Sequence, residues 1–163
     1  MFSGRVDFGS VNKIANVRII RVCEVMANAI ENHASVPQHL DAGICQAERF
    51  DSILHRNSSR QALGLNERLR FYRYGPDQQF AAHVDGSFVR ANGERSLLTF
   101  MVYLNDGFEG GETKFTETTI QPRKAMALIF RHELLHEGAA VTSGRKYVLR
   151  SDVMFGAVGN IRG

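Results

Sequence analysis

Apolar and polar positions change rhythm partway along this chain. Residues 12–32 place Ile14, Val17, Ile20, Val22, Met26 and Ile30 at helical spacing, which predicts a helix. His33 to Glu48 carries turn signals around Pro37 and Gly43, and Gln46 to Gln61 reads as a second helix. From Leu69 the texture becomes that of strands. Leu69-Arg70-Phe71-Tyr72-Arg73-Tyr74 is aromatic and stops at the turn Gly75-Pro76-Asp77. Ser96 to Leu104 is branched and aromatic and ends at Asn105-Asp106-Gly107; Thr113 to Ile120 and Lys146 to Phe155 are two more strand-like runs. Short strands at short intervals predict a mainly β fold, a barrel or sandwich, with N-terminal helices packed outside it.

Ala125 to Glu137 is the ambiguous stretch. Its Ala, Met, Leu and Glu favour helix, while its neighbours favour strand. It contains His132-Glu133-Leu134-Leu135-His136, the H-E-x-x-H pattern that on a helix places two zinc ligands on one face with Glu133 as general base. A zinc hydrolase needs a third ligand downstream. After Glu137 there is no His or Glu, and Asp152 is the one carboxylate side chain. Gly138 discourages continuation of a helix. The zinc reading also leaves a second constellation unexplained.

That constellation is His83-Val84-Asp85, followed by His136 and then Lys146. Two imidazoles and one carboxylate cap one face of an iron(II) ion and leave the opposite face open. A lysine beyond the last ligand supplies a cation for a dicarboxylate cosubstrate. His-x-Asp alone is commoner by chance than H-E-x-x-H, so the context must decide. On a strand Lys146 and Arg150 share a face and Arg145 points away. His132 and His136 would also share a face if their segment is a strand, which leaves His132 as a rival ligand or a neighbour of the metal.

Composition narrows the partners. The chain has 163 residues, enough for one cored domain, with 44% hydrophobic and 23% charged residues, as in ordinary soluble proteins. Its net charge of +3 comes without a dense Lys/Arg run, so no nucleic-acid face is expected. No apolar run reaches the length of a membrane span and the first residues lack a secretory pattern, so a cytoplasmic protein is expected. Cys23 and Cys45 have no metal or redox spacing and read as reduced thiols. Nothing in the composition fixes an oligomeric state.

Several motifs in Arg70–Phe155 resemble, in order, the prolyl 4-hydroxylase-like branch of the iron(II)/2-oxoglutarate oxygenases. Tyr72-Arg73-Tyr74-Gly75 leading to His83-Val84-Asp85 is similar to the family's Tyr-bearing strand before H-x-D. Leu98 to Asn105 resembles its next core strand, and Glu109-Gly110-Gly111-Glu112-Thr113-Lys114-Phe115 its E-G-G-E-T-x-F signature. Pro122 to Phe130, His136-Glu137-Gly138 and Gly144-Arg145-Lys146-Tyr147 complete the series. The family often has Gly in the turn after the proline, where this chain has Arg123-Lys124-Ala125.

The resemblance implies a double-stranded β-helix, a jelly-roll or cupin-like barrel. It would occupy 69–156, with a helical buttress over 1–68 and a tail over 157–163, in one structural domain. It implies iron(II), 2-oxoglutarate and O2, with ascorbate as accessory reductant. His83, Asp85 and His136 would hold the metal, with no catalytic residue beyond these ligands. Lys146 would take the distal cosubstrate carboxylate, and its ten-residue offset from His136 is typical of the branch. Tyr74, Thr99 and Arg150 would assist in that pocket. The loop Gly86–Glu94, with Phe88 and Arg90, would touch substrate. The implied reaction hydroxylates an unactivated C–H bond with release of succinate and CO2. Its substrate would be a prolyl residue of a protein or peptide or, alternatively, a small molecule or free amino acid. A cousin family that repairs nucleic acid has two arginines five apart after the distal His; Arg145 and Arg150 do not match that spacing.

Overall fold

The branched and aromatic runs after residue 69 build the frame of the molecule. The computed structural model describes residues 17–21 and 60–157. In chain order the strands are β1 (Val17–Arg21), β2 (Arg60–Leu65), β3 (Arg70–Tyr74), β4 (Phe80–His83), β5 (Arg95–Tyr103) and β6 (Glu109–Gly110). They continue with β7 (Thr113–Phe115), β8 (Thr119–Ile120), β9 (Met126–Arg131), β10 (His136–Gly138), β11 (Val141–Ser143) and β12 (Lys146–Ala157). The larger sheet runs β1-β9-β5-β12-β2, with β3 also on β12; a second sheet runs β4-β10-β7-β8, and β6 pairs with β11. Each of these ladders is antiparallel.

β12 organises the larger sheet. One of its edges pairs with β5. The other pairs with β3 from Lys146 to Arg150 and with β2 from Val153 to Ala157. Between those two partners, Asn66 N–H donates to Asp152 O at 2.7 Å and Ser151 Oγ donates to Asn66 O at 2.8 Å, so the edge stays satisfied.

Alternation along the central strands makes two cores. Leu98, Phe100 and Val102 of β5 pack with Ala127 and Ile129 of β9 and Leu149, Val153 and Phe155 of β12. On the opposite face Tyr103, Leu128, Phe130 and Val148 pack with Ile120 and Phe115 of the smaller sheet. Phe115 and Phe130 meet edge to face at 5.0 Å, tying the two sheets together. The site described below occupies the open end of this second core.

Two expectations need correction. The helix expected over residues 12–32 is contradicted at 17–21, where β1 pairs with β9, Val17 opposite Phe130 and Arg21 opposite Met126. Three of these five residues are β-branched, which suits a strand, and the edge of β9 offers a ladder that local periodicity does not reveal. The rest of that helix lies outside the described residues. So does the helix expected over Gln46–Gln61, apart from Arg60 and Gln61, which open β2. No helix occurs among the described residues, and so none there is long and apolar enough to cross a membrane.

The ambiguous stretch resolves into strand, turn and strand. Ala127 to Phe130 are all buried, so β9 is covered on both faces and reads as a continuous apolar run rather than an alternating one. The turn at 132–135 then separates β9 from β10. H-E-x-x-H therefore lies on no helix, and its two histidines do not share one strand face.

Candidate active site

Strand register brings the two key imidazoles together. His83 ends β4, His136 opens β10, and the two are paired across that ladder. Their ring centroids are 4.3 Å apart. Asp85 follows His83 by two residues and is anchored by its N–H, which donates to His132 O at 2.8 Å. One ligand-type atom from each of His83, Asp85 and His136 lies within 4.8 Å of the others, a grouping able to hold a metal ion. His83 Nε2 is 3.5 Å from Asp85 Oδ1, and His136 Nε2 is 3.8 Å from Asp85 Oδ2.

The second nitrogen of each ring fixes its tautomer. His83 Nδ1 lies 2.8 Å from Ala81 O, and His136 Nδ1 lies 2.8 Å from Leu134 O. A carbonyl only accepts, so both Nδ1 atoms carry a proton and both Nε2 atoms face Asp85. Burial pushes the His136 imidazolium below its usual pKa, which favours the neutral, ligating form. Two imidazoles and a carboxylate, each ring oriented from behind, fit an iron(II) ion with three coordination positions left over.

Asp85 is held on both oxygens. Arg150 Nη2 is 2.6 Å from Oδ1, while the Thr99 hydroxyl donates to Oδ2. Arg150 also lies 3.6 Å from Asp152 Oδ1, and Arg70 lies 3.4 Å from Asp152 Oδ2. Charges thus alternate from Arg70 through Asp152 and Arg150 to Asp85.

The cleft beside this cluster holds a second feature. His83, His136, Thr99, Tyr74, Lys146 and Arg150 line it, and Phe80, Met101, Phe130 and Val148 add apolar walls. Lys146 is 3% exposed. Its Nζ donates to Gly111 O at 2.5 Å and stands 5.6 Å and 5.3 Å from the ring centroids of Tyr74 and Tyr103. Burial pushes its pKa down from 10.5 to about 8, partly opposed by the charge of Glu112. Among the described residues no carboxylate forms an ion pair with it. A buried ammonium whose hydrogen-bond partner is a neutral carbonyl is a seat for an anion.

The Glu-Gly-Gly-Glu segment shapes this seat. Gly110 and Gly111 have φ of +72° and +67°. A Cβ on Gly110 would collide with Ala140 O, and one on Gly111 would stand 3.0 Å from Lys146 Cδ. The two glycines let β6 meet β11 closely and leave room for the lysine stem.

Residues 69–151, half of the chain, match the sequence profile of the 2OG-Fe(II) oxygenase superfamily. The chain belongs to that superfamily. The cofactors this membership implies are iron(II) and 2-oxoglutarate, with O2 as oxidant. A protein of Acanthamoeba polyphaga mimivirus, a prolyl 4-hydroxylase by name, is 31% identical over 50% of this chain and 42% of its own. A PKHD-type hydroxylase of Thioalkalivibrio sulfidiphilus is 31% identical over 57% of this chain and 46% of its own. The chain thus spans less than half the length of these curated relatives. Among solved structures, the viral collagen prolyl hydroxylase of Paramecium bursaria Chlorella virus-1, in complex with 2-oxoglutarate, superposes with a TM-score of 0.62. It is 22% identical and covers 85% of this chain and 95% of its own. A Pseudomonas putida prolyl-4-hydroxylase gives a TM-score of 0.57 at 12% identity, covering 85% of this chain and 88% of its own. These likenesses identify the fold as the double-stranded β-helix of the 2OG-Fe(II) oxygenases.

Of the residues singled out in this oxygenase's sequence, His83, Asp85, His136, Lys146, Tyr74, Thr99 and Arg150 converge on the one cleft. Thr99 and Arg150 lie toward Asp85 rather than beside Lys146. Phe88 and Arg90 do not line the cleft. Arg90 is tied to Glu67 and, at 2.6 Å, to Glu94, while the Phe88 side chain is half exposed. His132 is buried behind Thr99, and Glu133 turns outward to pair with Arg131, so no zinc hydrolase centre is assembled among the described residues. Sequence reasoning passed over Ser96 and Asp152. Neither belongs to a motif; Ser96 meets His132 and Asp152 meets Arg70 only across the fold, although Asp152 also pairs with the nearby Arg150.

Proposed function

We propose that this chain is an iron(II)- and 2-oxoglutarate-dependent dioxygenase that hydroxylates an unactivated C–H bond, with a prolyl residue of a protein or peptide as substrate. The observation that carries the reading is the pairing, in one cleft, of the His83–Asp85–His136 cluster with the buried Lys146, which forms no ion pair among the described residues. His83, Asp85 and His136 are the metal ligands. Lys146 holds the distal carboxylate of 2-oxoglutarate, and Tyr74, whose hydroxyl burial keeps protonated, donates to the same carboxylate. Iron bound there supplies O2 activation coupled to decarboxylation of the keto acid, giving succinate and CO2. The protein orients both partners, and Phe80, Met101 and Phe130 give the cleft its apolar walls. The prolyl substrate is supported by the name of the mimiviral relative and is a narrower proposal than the reaction class.

Anaerobic titration of the apoprotein with iron(II) and 2-oxoglutarate tests the site. The expected result is a weak visible charge-transfer band that His83→Ala abolishes and Lys146→Ala weakens. Absence of the band in the native protein overturns the reading. The substrate is tested separately, by mass spectrometry of proline-containing peptides after aerobic turnover with ascorbate. A one-oxygen gain on proline is expected. Uncoupled succinate formation that no such peptide stimulates would move the search to small molecules.

A further inference from the structure

His132 is the residue that the proposed chemistry leaves unused, yet it is among the most constrained in the protein. It is 4% exposed. Its N–H donates to Leu97 O at 3.2 Å and its carbonyl accepts the Asp85 N–H. Its ring lies between two hydroxyls: Nδ1 is 3.0 Å from Thr99 Oγ1 and Nε2 is 3.0 Å from Ser96 Oγ. Thr99 in turn donates to Asp85 Oδ2, and the Phe88 N–H donates to Ser96 Oγ at 2.9 Å.

Proton accounting gives this chain one direction. Thr99 has a single hydroxyl proton and spends it on the Asp85 carboxylate, which only accepts. The Thr99 oxygen therefore accepts from His132, so Nδ1 carries the ring proton. Nε2 is then an acceptor and takes the Ser96 proton, while the Ser96 oxygen accepts the Phe88 N–H. Each donor and acceptor is used once, and reversing any link leaves a buried group unmatched.

From this geometry we infer that His132 is a positioning residue for the metal ligand Asp85: it holds the carboxylate through Thr99 while its own carbonyl holds the same residue's backbone. The inference rests on the metal-site reading above. Through Ser96 the chain also reaches the Ser87–Phe88 segment, whose Ser87 Oγ donates to Ser96 O at 2.5 Å. The two residues that follow Gly86 are thus fastened to the support of the ligand.

The test is cobalt(II) affinity of the full chain, read from ligand-field absorption, beside a thermal melt. Losing a residue that orients a ligand typically weakens metal binding by about 10–100-fold. His132→Phe and Thr99→Val should each do so. His132→Gln, which keeps a donor and an acceptor, should restore most of the affinity. The double variant His132→Phe/Thr99→Val should bind no worse than the weaker single variant, because both cut one chain. Native cobalt(II) affinity in folded His132→Phe, with only a lowered melting temperature, overturns the inference and leaves the metal site standing. If His132→Phe does not fold, Ser96→Ala and Thr99→Val decide: weakened binding in both supports the chain, and native affinity in both overturns it. Failure of the unmodified protein to bind cobalt(II) would instead remove the metal-site reading and this inference with it.

Discussion

Replacing Lys146 with Met should stabilise the apoprotein while destroying its response to 2-oxoglutarate. Burial pushes the ammonium from 10.5 to about 8. At about 1.4 kcal/mol per pH unit of displacement, keeping it charged below pH 8 costs the folded state roughly 3 kcal/mol. Met fills a similar volume without that charge, but it leaves Gly111 O without its donor, a loss of about 1 kcal/mol. The net gain is then about 2 kcal/mol at pH 7, which for a chain of this size corresponds to roughly 4–8 °C in melting temperature. The pH dependence has a definite sign. Between pH 8 and 10.5 the unfolded lysine is protonated and the folded one is not, so the stability of the native protein rises through that window. The variant should lack this rise. Differential scanning fluorimetry at pH 7 and pH 10, with and without 2-oxoglutarate, measures all three effects. A Lys146→Met protein less stable than the native one at pH 7, or one that 2-oxoglutarate still stabilises fully, would refute the argument that this cation is buried for an anion.

Two further outcomes follow from backbone geometry. Ala125, itself buried, has φ of +62° in the turn Arg123-Lys124-Ala125, where the resemblance led one to expect a Gly. Ala125→Gly should relieve more strain than it adds in chain entropy, a gain of about 0.5–1 kcal/mol visible as a raised urea midpoint with unchanged slope. Gly110→Ala should cost about 2–3 kcal/mol, because the added methyl meets Ala140 O across the β6–β11 ladder. Calorimetry should show the loss, and 2-oxoglutarate affinity should fall with it, since the neighbouring Gly111 O is the lysine's partner.

Legibility of the sequence followed the physics of each segment. The runs at Ser96–Leu104 and Lys146–Phe155 sit at the centre of the larger sheet, where branched and aromatic residues pack well, and they became β5 and β12 almost to the residue; Leu69–Tyr74 became β3, at the edge beside β12. Thr113–Ile120 proved to be two strands with a turn between them, a division its threonines do not announce. Residues 17–21 misled because a strand at a sheet edge is chosen by its partner, and β9 lies more than a hundred residues away. Within the site, period-2 alternation put Lys146 and Arg150 on one face, and the resemblance, through the offset from His136, singled out Lys146. The link from Ser96 through His132 to Asp85 was not legible, since it joins three segments whose proximity only the folded barrel creates.

The position of β12 has a kinetic consequence. This strand carries Lys146 and Arg150, and its neighbours come from far upstream; Ser151 meets Asn66 across 85 residues of chain. Pairings this remote must overcome loop-closure entropy before they return any stabilisation, so such topologies fold slowly. The larger sheet has no continuous centre until β12 inserts between β5 and the β2–β3 edge. Lys146 and the arginine beside Asp85 therefore reach the site together, on one strand. A partly folded chain would display His83 and Asp85 on β4 and its flank before Lys146 and Arg150 stand beside them.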